Sequence, residues 1–104
     1  NAKLSTTQAK FGDTSLALDG TDDFVHLNNR PALSGQFTIE AWAWADDTGN
    51  AYMWCNGKYT IELGITGNTL RIYRAGGGGY TNFFGSGEFS VNTWHHVALV
   101  RDTS

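Results

Sequence analysis

Proline, cysteine and methionine each occur once in 104 residues, and charged residues make up only 16%. A single cysteine, Cys55, excludes an internal disulfide. With no activating motif or base beside it, it reads as a small buried hydrophobe and not as a nucleophile. No apolar run approaches the roughly 18 residues of a membrane span, and the polar opening Asn1-Ala2-Lys3-Leu4-Ser5-Thr6-Thr7 has no signal-peptide core. Membrane insertion is therefore not expected, and the compartment stays open. Seven Lys and Arg stand singly against ten Asp and Glu, for a net charge of -3. Nucleic acid is not an expected partner, because a phosphate-backbone footprint needs clustered cations. Apolar residues recur nowhere at i, i+3, i+4 and i+7 over a helical length, so no helix is predicted.

What is present suits a sheet protein. Thirteen glycines, 13% aromatic and 40% hydrophobic residues describe a globular chain with many turns. The length predicts one domain over 1–104 with a thin stability margin.

Short alternating runs separated by turn residues predict seven to eight strands. Leu16-Ala17-Leu18 and Phe24-Val25-His26-Leu27 read as a hairpin around Asp19-Gly20-Thr21-Asp22. Phe37 to Trp44 is the longest alternation, with Phe37, Ile39, Ala41 and Ala43 on one face and Thr38, Glu40, Trp42 and Trp44 on the other. Bulk on both faces predicts a central strand. Ala51 to Cys55 precedes Asn56-Gly57, a dipeptide suited to a two-residue turn. Tyr59 to Ile65 and Thr69 to Tyr73 form a second hairpin, with Ile61, Leu63, Ile65, Leu70 and Ile72 inward. Gly76 to Gly79 reads as a flexible loop and not a phosphate cradle, since no Gly-Lys-Ser/Thr follows. Strand and loop alternate from Tyr80 to Phe89, and Trp94 to Val100 is the last strand. The fold class is all-β, an antiparallel β-sandwich.

Three phrases carry a family likeness. Phe11-Gly12 with Ser15-Leu16 and the Leu18-Asp19-Gly20 turn comes first, then Phe37-Thr38-Ile39-Glu40-Ala41-Trp42, then Trp94-His95-His96-Val97-Ala98. In this order and spacing the chain resembles the laminin G-like branch of the concanavalin A-like jelly rolls. The resemblance implies a jelly roll whose members continue beyond the Trp94 to Ala98 strand, so a domain incomplete at its C-terminus is expected. Open ladder edges would then be covered by further strands of a longer polypeptide or by neighbouring protein chains.

The resemblance also implies binding of carbohydrate or of surface protein, sometimes with calcium at a loop rim. Asp19, Asp22 and Asp23 put three hard oxygen donors in one turn, which calcium accepts, although Asp side chains in turns more often bond their own backbone. Asp46 and Asp47 add two carboxylates in another turn. For stacking a sugar ring, Trp44 and Trp54 lie near strand ends, and Tyr73 and Tyr80 flank the glycine loop with Arg74 and Asn82. Trp42 belongs to a family phrase and is expected in the core. His95 and His96 are adjacent, so on a strand they face opposite sides and cannot chelate one ion. Glu40 and Glu62 stand alone on their strands, and could work as a glycosidase pair only from adjacent strands. The expected function is a non-catalytic carbohydrate-recognition or adhesion module, extracellular or displayed on a cell or virion surface. The alternative is a structural module of a capsid or fibre that engages neighbouring protein, and a glycoside hydrolase ranks third.

Overall fold

The computed structural model describes residues 2–29, 35–47, 49, 51–55, 61–66, 69–76 and 79–102, with backbone alone at 61–66, 73–76 and 79–88. These residues hold eight strands and no helix. They fall into two compact units, Asn1–Ala32 and Leu33–Ser104.

In the first unit β1 (Lys3–Ser5) pairs antiparallel with β2 (Ser15–Ala17), Leu4 standing opposite Leu16. The connection is tied where Ser15 Oγ donates to the Gln8 carbonyl at 2.6 Å and the Thr7 N–H donates to Ser5 Oγ at 3.2 Å. This corrects the predicted hairpin between 16–18 and 24–27, because residues 24–29 form no strand. The ladder of β2 is taken from upstream by β1, a three-residue strand whose polar surroundings give it no sequence signature.

The second unit has two layers. β3 (Phe37–Ala43) pairs antiparallel with β8 (His95–Arg101) as a two-stranded ribbon. β4 (Ala51–Cys55), β5 (Ile61–Thr66), β6 (Thr69–Gly76) and β7 (Gly79–Glu88) form a four-stranded antiparallel sheet in chain order. Period-two alternation gives each layer one apolar face. In the ribbon Ile39 stands opposite Leu99 and Ala41 opposite Val97, and Ile39, Ala43 and Leu99 pack with Met53, Trp54, Leu70 and Ile72 of the sheet around buried Phe89 and Val97. The antiparallel sandwich predicted from the alternation is therefore formed.

A β-bulge in β4 shapes both faces of the sheet. Tyr52 is opposite Gly64 and Trp54 is opposite Leu63, so the register shifts by one around Met53. A bulge sets two residues against one. Met53 and Trp54, though consecutive, both pack on the core, while Tyr52 before them is exposed. Cys55, expected in the core, is exposed, because it follows the bulge in register with Glu62 on the ladder face opposite to Leu70 and Ile72.

The turns follow their sequence signals in part. Thr66 opposite Thr69 makes the predicted tight hairpin. Asn56-Gly57 lies outside the described residues, and Cys55 opposite Glu62 belongs to a connection longer than two residues. The glycine run is divided between two strands, Gly76 ending β6 opposite Gly79 at the start of β7. Gly85-Ser86-Gly87, in the stretch predicted as strand and loop, lies within β7, where the register against β6 shifts between the Thr69–Glu88 and Arg71–Phe84 pairs. Between β7 and β8, Asn92 takes a left-handed conformation with φ 57°, and its N–H donates to the Ala45 carbonyl at 2.8 Å. Asn tolerates that region better than most residues.

Candidate functional site

Because Met53, Trp54, Leu70 and Ile72 occupy the inner face of the four-stranded sheet, alternation assigns Tyr52, Gly64 and Arg71 to its outer face. The three stand in one cross-strand row, Tyr52 opposite Gly64 and Gly64 opposite Arg71. Arg71 reaches over the central strand. Its Nη2 donates to Tyr52 Oη at 3.1 Å, and its guanidinium carbon lies 5.5 Å from the centroid of the Tyr52 ring, in cation–π range. Tyr52 remains 54% exposed.

The predicted rim residues divide over the same hairpin. Tyr73 is opposite Asn82 and Ala75 is opposite Tyr80, so by backbone register Tyr73, Tyr80 and Asn82 belong to the ladder face of Arg71. Arg74, opposite Thr81, belongs to the face of Ile72. Three of the four predicted β6 and β7 residues therefore share a face, joined there by Tyr52 and Arg71, which sequence reasoning missed. The available signal was Gly64, a glycine inside a strand, where another group can approach the backbone closely.

The predicted tryptophans are both half-buried. Trp54 is half-buried against the Phe89 and Val97 cluster. Trp44 is half-buried with its ring centroid 5.8 Å from that of Trp94, tilted by 58°. Trp42, expected in the core, is 40% exposed. It lies on the face opposite to Ile39 and Ala43, as the alternation of β3 requires.

The adjacent histidines diverge as expected. His95 is in register with Ala43; its ring centroid lies 4.4 Å from that of Phe89, and its Nε2 is 3.0 Å from the Ser90 carbonyl and 3.2 Å from Ser90 Oγ. His96, opposite Trp42, sets its ring 5.4 Å from that indole and its Nε2 3.1 Å from Glu40 Oε2. Glu40 is in the ribbon and Glu62 is between β4 and β6, so the adjacency that a Glu40 and Glu62 pair would need is not formed.

In the first unit, the ligand atoms of Asp19, Asp22 and Asp23 lie within 4.8 Å of one another. Asp19 Oδ1 accepts the Thr21 N–H at 2.9 Å and the Asp22 N–H at 3.3 Å, while Asp23 Oδ2 accepts the Asp19 N–H at 3.1 Å. Gly20 supplies the left-handed residue that the turn requires, at φ 75°. The Thr21 N–H above all, with help from the Asp22 and Asp23 N–H groups, holds the Asp19 carboxyl below the usual carboxylate range, against a smaller opposing effect of desolvation. Hard oxygens are what calcium accepts, and the same oxygens already close the turn on its own backbone. Asp47 behaves likewise in its own turn, its Oδ1 accepting the Gly49 N–H at 2.7 Å.

Comparison with known families agrees with this architecture. The laminin G-like family model described as the concanavalin A-like lectin/glucanases superfamily matches residues 19–104, and the chain belongs to that family. The match starts at Asp19, so the Phe11 to Leu18 phrase precedes it. No match was found among curated proteins or among solved structures.

Proposed function

From this membership in the laminin G-like branch of the concanavalin A-like lectins and glucanases, we propose that the chain is a non-catalytic module that binds carbohydrate, or a glycan-bearing surface, within a larger extracellular protein. The observation that carries the reading is the outer face of the four-stranded sheet. There an exposed Tyr52 is locked to Arg71, and Tyr73, Asn82 and Tyr80 follow on the same ladder face. Aromatic rings with hydrogen-bonding groups beside them suit a sugar, whose apolar ring face stacks while its hydroxyls bond at the edges. A glycosidase would need two carboxyl groups facing one bond about 5–10 Å apart. The separation of Glu40 and Glu62 into different sheets favours binding without cleavage.

The test is a glycan array with the purified chain, and a reducing-sugar assay on every glycan that binds. Binding without release supports the reading. Release of reducing ends overturns it in favour of hydrolysis.

A second reading, a structural module of a larger assembly such as a capsid or fibre, is favoured by the exposed Leu4, Phe11, Leu16, Phe24, Val25 and Leu27 of the first unit. So much exposed apolar surface suits contact with protein. Under that reading the chain binds no glycan and co-assembles stably with a scaffold chain.

A further inference from the structure

The ribbon of β3 and β8 carries polar chemistry of its own on the face turned away from the core. Ile39, Ala43 and Leu99 pack inward, so alternation sends Glu40 and Trp42 of β3, and His96 and Ala98 of β8, to the exposed face. Register sets Trp42 opposite His96 and Glu40 opposite Ala98. Glu40 and His96 are therefore diagonal neighbours across the ladder, and Ala98 adds only a methyl at the remaining corner.

The two polar atoms stand at chelating distance. His96 Nε2 and Glu40 Oε2 are 3.1 Å apart, with the side chains 44% and 62% exposed. A zinc ion bonded to both, at about 2.0–2.1 Å from each atom, makes an angle of about 100° between them, which lies between the octahedral and tetrahedral ideals. The ion can thus enter between the imidazole and the carboxylate without moving either strand, a neutral ring then carrying its proton on Nδ1. The Trp42 indole, with its centroid 5.4 Å from that of the imidazole, walls one side of the ring and limits its rotation. An imidazole nitrogen favours zinc, copper and nickel, whereas the carboxylates of the Asp19 turn offer hard oxygens alone.

We propose that His96 Nε2 and Glu40 Oε2 form a two-ligand site for a divalent cation of the zinc, copper and nickel class on the outer face of the ribbon. Both side chains are open to solvent, and water supplies the remaining ligands. The site lies on the other layer of the sandwich from Tyr52 and Arg71, and is independent of the carbohydrate reading.

The test is calorimetric titration of the full chain with zinc chloride, with NMR spectra of the histidine rings recorded along the same titration. Saturable binding that moves the His96 ring signals ahead of those of His26 and His95 is the expected result. It is expected to disappear in His96→Gln and to weaken about tenfold or more in Glu40→Gln. Circular dichroism melts of each variant establish that it is folded, and calcium chloride at the same concentrations is expected to leave the His96 ring signals in place. Absence of saturable binding up to millimolar zinc overturns the site. Binding unchanged in His96→Gln overturns it by placing the ion elsewhere, and binding unchanged in Glu40→Gln overturns it by reducing the site to a lone imidazole.

Discussion

Arg71 crosses the strand between it and Tyr52, passing over Gly64 to place a hydrogen bond of 3.1 Å and a cation–π contact on the same phenol. Three strands are thereby joined on the solvent side by two side chains and one missing one. In Arg71→Ala the hydrogen bond and the ring contact are lost together, at a cost of about 1–2 kcal/mol. Chemical denaturation of the variant checks this, and Tyr52→Phe is expected to lose the smaller part because its ring remains.

Gly64→Val is expected to displace Arg71 from Tyr52. The new side chain stands in the path that Arg71 takes over the central strand, so the Arg71 to Tyr52 contacts are lost and offset what a β-branched residue adds to the strand. Thermal melts, with the Arg71 side-chain N–H shifts followed on the same sample, check this.

Among the described residues the core centres on Phe89 and Val97. Phe89 and Val97, at 4% and 5% exposure, are the fully buried hydrophobics among the described residues. Phe89→Ala removes the ring that touches His95 and is expected to cost about 3–5 kcal/mol, and Val97→Ala less. A chain this small has little stability to lose. Loss of the cooperative thermal transition in Phe89→Ala is the expected readout.

Acid should loosen the Asp19 turn of the first unit. The folded Asp19 carboxyl is held below its unfolded value by the Thr21 N–H, so its contribution is present above the ordinary aspartate value of about 3.9 and is lost as pH falls through the lower folded value. Amide exchange or backbone shifts at Thr21 and Asp22, followed from pH 6 downward, are expected to change in that lower window. In Asp19→Asn, which keeps an acceptor but cannot titrate there, this component disappears.

Asn92 is expected to accept glycine and resist branching. Asn92→Gly retains the left-handed turn and its N–H to the Ala45 carbonyl, whereas Asn92→Val is expected to lose about 1–2 kcal/mol or more to steric strain. Denaturation midpoints of the two variants give the comparison.

The layered fold was legible because alternation is a local signal. Ile39 with Leu99, and Leu70 with Ile72, show their buried face in one dimension. The same rule explains why the placement of Trp42 in the core failed while its assignment to the face of Glu40 held. Residue 42 must lie opposite to Ile39 and Ala43, whatever family phrase it sits in. The site was harder to read, because its parts meet only across strands. Tyr73 and Tyr80 flank the glycine run in sequence, and the hairpin register brings them to one face. Tyr52 comes to its exposed position through a bulge at Met53, and no composition or periodicity marks a bulge in advance. The same bulge turns Cys55 out of the core.

Backbone amide shifts followed by NMR during titration with an oligosaccharide that the glycan array picks out test the central claim most directly. The account predicts saturable shifts gathered on the outer face of the four-stranded sheet, at Tyr52, Gly64 and Arg71 and onward to Tyr73 and Asn82, with the ligand recovered intact. Shifts confined to the outward face of the ribbon around Trp42 and His96, or none at any ligand concentration, would contradict it.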